Sequence, residues 1–162
     1  MFNMKTDTPV DRRINWFSVI TLAALVTLMP GCAGVPEAPP EIKQQALSFT
    51  PPPGMAGLYL IRPYHFAGAA VLWKAQLDYQ EFGSLKTSSY LYSAVLPGKH
   101  LLRTGAHGDA GATTFIAEAG KNYYFSMRAT LKLDPVPESQ AQEYVRQFKL
   151  SGDNLYKAPF SP

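Results

Sequence analysis

The 162-residue chain has a single cysteine, Cys32, and only 17% of its residues are charged. One cysteine cannot form a disulfide within the chain, so the fold does not depend on one. The basic residues are scattered singly rather than in a run, which argues against nucleic acid as a partner. The apolar run from Ile14 to Met29 is shorter than the roughly 20 residues that a membrane-spanning helix needs. These absences, with no internal repeat, indicate one domain of ordinary size.

The first 31 residues have the layout of an export signal. Lys5, Arg12 and Arg13 place positive charge before the apolar run, which keeps that end cytoplasmic during insertion. Pro30-Gly31 would end a helix that continued through the run. We therefore expect residues 1–31 to be a signal peptide that is removed before Cys32. The alternative is an uncleaved N-terminal membrane helix with the same orientation.

The sequence around Cys32 resembles the lipobox of bacterial lipoproteins. Gly31 precedes the cysteine and small residues follow it, although Met29 stands where leucine is usual and Pro30 is an unusual neighbour. The resemblance implies that Cys32 is the lipid-attachment residue, with a diacylglycerol on its sulfur and a further acyl chain, such as palmitate, on its freed amine. Two or three chains anchor stably, because each buried methylene contributes about 0.8 kcal/mol. Ala33 in place of aspartate implies the inner leaflet of the outer membrane, with the domain in the periplasm.

Residues 32–54 are rich in proline and predict a stiff tether behind the lipidated cysteine. A polyproline-like segment extends by about 3.1 Å per residue, so it would lift the domain off the membrane surface. A short helical turn is expected within residues 41–48. The alternative is a proline-rich ligand for a partner protein. From Cys32 onward the chain has 12 basic and 10 acidic residues, which is close to balance.

Residues 55–133 alternate between apolar and polar positions with period two, which is typical of β-strands. Pro97 and Gly98 predict one turn and Gly120 another, since proline presets φ and glycine accepts a positive φ. We expect a mainly β fold, an antiparallel β-sandwich of about seven strands. The predicted strands cover residues 57–62, 71–78, 82–86, 89–95, 100–104, 113–117 and 123–128.

Residues 134–162 change to helical periodicity and form a C-terminal helix and tail. Ala141, Tyr144, Val145 and Phe148 make one apolar stripe, and Ser151-Gly152 is expected to end the helix. We expect this amphipathic helix to pack on the edge of the sandwich and block strand pairing there. The alternative is a helix that is offered to a partner.

Several short motifs resemble, in their order, those of a domain-of-unknown-function family of small bacterial lipoproteins. They are Leu58–Pro63, Phe66–Gly68, Gly83–Leu85, Leu96–His100 and Ala119–Tyr124. The resemblance covers about residues 57–133 and implies an envelope lipoprotein with a transthyretin-like or PEGA-like sandwich. It implies no catalytic residues. At residues 78–81 this chain departs from the tight Asn/Asp-Gly hairpin that is more frequent in the family, which leaves the loop length open.

The sequence contains little that indicates catalysis. Its three histidines, His65, His100 and His107, lack the spacing of a metal site, and each is expected at the surface or in a turn. His107 and Asp109 could meet as an acid–base pair, but no Gly-x-Ser-x-Gly elbow or phosphate loop accompanies them. We therefore expect no enzyme activity, no cofactor and no metal.

Aromatic and basic residues on the strands provide candidate binding residues: Arg62, Tyr90, Tyr92 and Tyr124. An outward row of tyrosines could bind glycan or peptide by stacking, whereas a helix that covers this face explains the row equally well. The leading hypothesis is a non-enzymatic accessory or binding module that is anchored to a membrane and meets an envelope protein or peptidoglycan. The alternatives are a structural subunit of an envelope assembly, by analogy with the lipidated transthyretin-like component of type VI secretion, and a small hydrolase. The oligomeric state stays open.

Overall fold

The computed structural model describes residues 36–105, 111–127 and 132–152, which belong to one compact unit, Val35–Pro162. Two helices and nine strands lie within these ranges. The helices are α1 (Pro40–Ser48) and α2 (Glu138–Gln147). The strands are β1 (Ala56–Arg62), β2 (Trp73–Leu77), β3 (Gln80–Leu85), β4 (Ser89–Val95), β5 (Gly98–Thr104), β6 (Gly111–Ala117), β7 (Asn122–Met127), β8 (Leu133–Pro135) and β9 (Lys149–Leu150).

The strands form two sheets, which confirms the expected mainly β architecture. One sheet has the order β8-β7-β1-β4-β9 and the other β3-β2-β5-β6. Phe115 on β6 contacts Phe125 on β7 at 5.3 Å between ring centroids, so the two sheets face each other across an aromatic and aliphatic core. All seven residues of β1 are buried, as expected for a central strand that is covered on both faces.

The expectation of about seven antiparallel strands is wrong in two respects. The described residues contain nine strands, and two of the pairs, β1 with β7 and β4 with β9, are parallel. Strand β7 follows a strand of the other sheet and β9 follows α2. Each therefore arrives by a crossover, which is the connection that parallel pairing requires. Strands β8 and β9 are three and two residues long, too short to produce an alternating pattern.

The proline-rich segment packs against the domain, which differs from the free tether expected for residues 32–54. Ala46 on α1 is fully buried, and its carbonyl oxygen accepts a hydrogen bond of 2.8 Å from the Tyr59 hydroxyl. Asn122 Nδ2 donates to the Phe49 carbonyl oxygen at 2.6 Å. Helix α1 and the residues that end it are thus bonded directly to the five-stranded sheet.

The first described residues are bound to the last described residues. Glu37 forms an antiparallel bridge with Ser151, and the Gly152 N–H donates to the Pro36 carbonyl oxygen at 2.7 Å. A Cβ atom at Gly152 would lie 2.6 Å from the carbonyl oxygen of Glu37, so this close approach requires glycine. Residues 36–37 are therefore part of the fold rather than of a tether.

Helix α2 covers a face of the five-stranded sheet and not the edge of the sandwich, which corrects that expectation. Its buried residues Ala141 and Val145 belong to the core, and the helix contacts the central strand β1. A central strand with apolar residues on both faces needs a second cover, and the apolar stripe of α2 supplies it. The helix ends at Gln147 rather than at Ser151-Gly152, because Lys149–Leu150 pairs with β4.

The predicted turns lie where the chain passes from one sheet to the other. Leu96-Pro97 joins β4 to β5, and Gly98 has a φ of 145°. Gly120, with a φ of 80°, lies between β6 and β7, and its N–H donates to the Met55 carbonyl oxygen at 2.8 Å. Both glycines have backbone conformations that L side chains rarely adopt. Neither helix in the described ranges has the length and apolar character of a membrane span.

Candidate functional site

The loop between β1 and β2, residues 63–72, is the most apolar exposed segment among the described residues. It contains no charged residue, and we call it the apolar loop. Phe66 is 87% exposed and Tyr64 is 65% exposed, while Val71 and Leu72 are each more than two-fifths exposed. Large apolar side chains that cluster at the surface mark sites of interaction with a partner or a membrane.

The apolar loop is held in place by Arg62, the last residue of β1. Its Nη1 donates to the carbonyl oxygens of Val71 at 2.6 Å and Leu85 at 2.8 Å, and its Nη2 donates to that of Gly68 at 2.6 Å. The side chain is buried, and this burial lowers the pKa of the guanidinium. Arg62 was expected to be a candidate binding residue, but these bonds occupy both terminal nitrogens. It positions the loop and is not presented to a ligand.

Hydrogen bonds within the loop add to this order. The Ala69 N–H donates to the Phe66 carbonyl oxygen at 3.2 Å, and the Val71 N–H donates to that of Gly68 at 3.0 Å. These two turns and the Arg62 fork satisfy the carbonyl oxygens of Phe66, Gly68 and Val71 from inside. The exposed side chains therefore stand on a preformed scaffold, which reduces the entropy that binding would cost.

A groove of about 630 Å³ lies between the start of the apolar loop, β8 and α2. Its walls combine aromatic rings, Tyr64 and Tyr144, with the rigid backbone of residues 135–137. Lys132 and Asp134 form an ion pair of 3.1 Å at its rim. Aromatic walls with a few polar groups suit an extended peptide or a sugar chain, since both are bound by stacking and by directed hydrogen bonds.

The tyrosine row lies on a sheet face that the helices cover. It is not an outward row open to a glycan or peptide. Tyr90, Tyr92 and Tyr124 are at most 6% exposed, which corrects their assignment as candidate binding residues. The rings of Tyr92 and Tyr124 lie 4.8 and 4.9 Å from that of Tyr59, measured between centroids. Burial is the largest cause that raises the pKa of Tyr90 and of Tyr124 to about 12. The row therefore stabilises the contact between the sheet and its helices.

Two of the buried tyrosines provide a matched pair for a stability test. The Tyr90 hydroxyl is buried without a hydrogen-bond partner, whereas the Tyr59 hydroxyl donates to Ala46. We predict that Tyr90→Phe raises the free energy of unfolding by about 1 kcal/mol and that Tyr59→Phe lowers it by a similar amount. Urea unfolding of both variants checks this. Equal losses in the two variants would contradict the assignment of the unpartnered hydroxyl.

Both histidines were expected at the surface or in a turn, and the structure confirms this for His65 but not for His100. His65 is exposed in the apolar loop, but His100 is 1% exposed and is not a surface residue. Its Nδ1 lies 2.6 Å from Asp78 Oδ2, and its Nε2 lies 2.7 Å from the Leu96 carbonyl oxygen. The pair connects β5 to two turns, and it also lines a surface hollow of about 600 Å³ beside Tyr79 and Lys99. His107 and Asp109 lie outside the described residues, as does Cys32.

The turn that carries Asp78 is a tight hairpin, which answers the question of loop length at residues 78–81. Asp78 and Tyr79 are its only two residues, with φ values of 50° and 62°. The Asp78 carboxylate also accepts a hydrogen bond of 2.9 Å from the Leu101 N–H through Oδ1. These bonds replace the glycine that such a turn usually requires.

Within the described ranges, no group of three or more His, Cys, Asp or Glu side chains is placed to hold a metal ion. No protein-family model matches the chain, and no curated protein is similar to it. The candidate site is therefore defined by its geometry alone: the apolar loop, the Arg62 support and the adjacent groove.

Proposed function

We propose that this chain is a lipid-anchored binding module of the bacterial envelope, attached through Cys32 and without catalytic activity of its own. The observation that carries the proposal is the apolar loop, an exposed uncharged segment fixed on a buried arginine. In this proposal the leader, residues 1–31, directs export and is removed. The domain lies in the periplasm, on the inner leaflet of the outer membrane, and the groove binds an envelope protein or peptidoglycan.

The position of the folded unit along the chain supports the proposed anchor. The compact unit begins at Val35, three residues after Cys32. A domain that starts directly behind a lipidated cysteine loses none of its packed residues when the leader is removed.

We further propose that the two sheets form a transthyretin-like or PEGA-like sandwich, the class that the motif resemblance implies. The motifs Leu96–His100 and Ala119–Tyr124 support this, because each spans a turn that carries the chain between the sheets. We expect members of such a family to have glycine at the positions of Gly98 and Gly120, because both turns use a positive φ there.

The second candidate function is a structural subunit of an envelope assembly, such as a secretion system, and strand β6 favours it. The structure describes four sheet edges, and three of them have features that hinder pairing with a further strand. Strand β8 ends at Pro135, and β9 has only two residues. Strand β3 carries the exposed Glu81, and its register with β2 shifts there. Strand β6 has seven residues without charge or proline, and Ile116 on it is 69% exposed. Such an edge can pair with a further strand. Purification as a stoichiometric envelope complex would favour the subunit, and purification as a monomer would favour the binding module.

The anchor is tested by substitution of the single cysteine. We predict that Cys32→Ala abolishes metabolic labelling with palmitate and releases the protein from the membrane fraction, because no other residue can carry the thioether-linked lipid. Ser48→Ala, on the exposed surface of α1, is the matched control and should label normally. A Cys32→Ala protein that is still labelled and still sediments with membranes would contradict the proposal.

The absence of catalysis is tested separately. Turnover of an envelope substrate that is lost on changing His107 or Asp109 would replace the binding module by the third hypothesis, a small hydrolase.

A further inference from the structure

We propose that the apolar loop inserts into the surface of the lipid bilayer to which Cys32 is attached, so that the domain is held against the membrane with this loop facing it. The proposal rests on the proposed lipid anchor and names the partner of the loop.

The first argument is the length of chain between the anchor and the fold. A free tether of residues 32–54 would have allowed the domain to stand far from the membrane. Instead, the segment from Pro36 onward is bonded to the sheet, as the bridge between Glu37 and Ser151 shows. Four residue steps separate Cys32 from Pro36, and a fully extended chain spans at most about 14 Å over that distance. The bilayer surface must therefore lie close to the domain.

The second argument is the position of Pro36 on the sheet. Its carbonyl oxygen accepts a hydrogen bond from Gly152, just beyond β9, which pairs with the first two residues of β4. Strand β4 begins at the end of the sandwich where β1 ends. Pro36 lies beside β4 about three residues from that end, which is roughly 10 Å at about 3.3 Å per residue. That end, which carries the apolar loop, is within reach of the anchor.

The opposite end of the sandwich is at a similar distance, so composition has to decide between the two. At the opposite end, the turns between strands carry charged side chains, among them Lys99, Glu118 and Lys121. The apolar loop has none, and it exposes Phe66 more than any other large apolar side chain among the described residues. Charged turns resist transfer out of water, whereas exposed aromatic and aliphatic side chains gain from it. The loop end is therefore the one that faces lipid.

The third argument is the state of the loop backbone. Groups that enter the interface lose bonds to water and must be satisfied within the protein. The carbonyl oxygens of Phe66, Gly68 and Val71 already accept bonds from within the loop or from Arg62. At the same end of the sandwich, Lys132 and Lys149 are ion-paired with Asp134 and Glu37, at 3.1 and 2.9 Å, so the charge around the loop is largely balanced.

The test places a tryptophan at the tip of the loop. Acylated full-length Phe66→Trp protein is purified from bacterial membranes and reconstituted into vesicles of phosphatidylethanolamine and phosphatidylglycerol whose acyl chains are brominated. Bromine quenches indole fluorescence only at short range. The matched control is Ile116→Trp, which changes an equally apolar and 69% exposed residue on β6. The unmodified protein supplies the background from Trp73, the one tryptophan that remains once residues 1–31 are removed.

We expect the Phe66→Trp signal to lose most of its intensity in brominated vesicles and to shift to shorter wavelength, with no such change in Ile116→Trp. Leu72→Trp, at a loop position that is 46% exposed and does not line the groove, should behave as Phe66→Trp does, which guards against a local effect of one substitution. Acylated protein that sediments with the vesicles without quenching at either loop position would overturn the inference and leave the anchor standing. Quenching of equal size at residue 116 would overturn it as well. Protein that carries no lipid in the palmitate labelling would remove the proposed function, and the inference with it.

Discussion

Arg62→Met is expected to lower the free energy of unfolding by about 4 kcal/mol, since three charge-assisted hydrogen bonds are lost together. Methionine fills a similar volume but donates no hydrogen bond. The carbonyl oxygens of Gly68, Val71 and Leu85 would then lose their donor, the last of them in the buried part of the site. A domain of this size has a total stability of about 5–15 kcal/mol, so the variant should lose a large fraction of it.

Urea unfolding and amide hydrogen exchange measure the two parts of this effect. The midpoint should fall, and the amides of Ala69 and Val71 should exchange faster than the strand amides. Arg62→Lys should retain part of the stability, because lysine keeps the charge but not the planar fork. Arg146→Met is the matched control: that arginine is exposed, stacks on Phe49 at 5.1 Å from the ring centroid and donates one surface hydrogen bond of 3.2 Å to Gln142 Oε1. If Arg62→Met and Arg146→Met lose equal stability, Arg62 does not support the loop.

The strands that the sequence predicts well are those with a strong local pattern. Strand β4 is observed at Ser89–Val95, the predicted bounds, because alternation and the following Pro97 define it from within the segment. Strand β1 agrees to within one residue for the same reason, with Pro63 at its end. Pairing direction has no such local signal. Whether β7 runs parallel or antiparallel to β1 depends on the path of the chain through the other sheet.

The segment before β1 shows how composition can mislead. Its prolines indicate an extended tether, but Ile42, Ala46 and Phe49 follow the i, i+4, i+7 spacing of an apolar helix face. All three side chains are packed in or against the core. Proline is well tolerated in the first turn of a helix, which is where Pro40 lies. The periodicity was therefore the better guide than the proline count.

The candidate site was only partly accessible from sequence. The absence of charge from residues 63–72 is visible in the sequence and could have identified the apolar loop. The role of Arg62 depends on carbonyl groups 6, 9 and 23 residues away along the chain, and no spacing rule connects them. The tyrosines alternate as expected, but only the position of the helices decides that their outward face is covered.

His100→Leu is expected to lower the free energy of unfolding by about 3 kcal/mol, because it leaves the Asp78 carboxyl group and the Leu96 carbonyl oxygen without their buried hydrogen-bond partner. Both groups that face the imidazole, Asp78 Oδ2 and the Leu96 carbonyl oxygen, accept hydrogen bonds. The imidazole therefore connects two turns through its two ring nitrogens. Leucine has a similar volume and leaves both acceptors without a donor. Two turns, at residues 78–79 and 96–97, then lose their connection.

A double-mutant cycle isolates this connection from the loss of packing. Asp78→Asn keeps an oxygen for the Leu101 N–H and tolerates the positive φ of the turn, but it removes the charge that faces His100. The two single losses should exceed the loss in the double variant by about 2 kcal/mol, since residues in direct contact are coupled. The control pairs His100→Leu with Glu143→Gln on the exposed side of α2, where the losses should add. Additive losses in the Asp78 cycle would mean that the imidazole and the carboxyl group do not stabilise the fold as a pair, and that the hairpin at residues 78–79 holds its shape through the Leu101 bond alone.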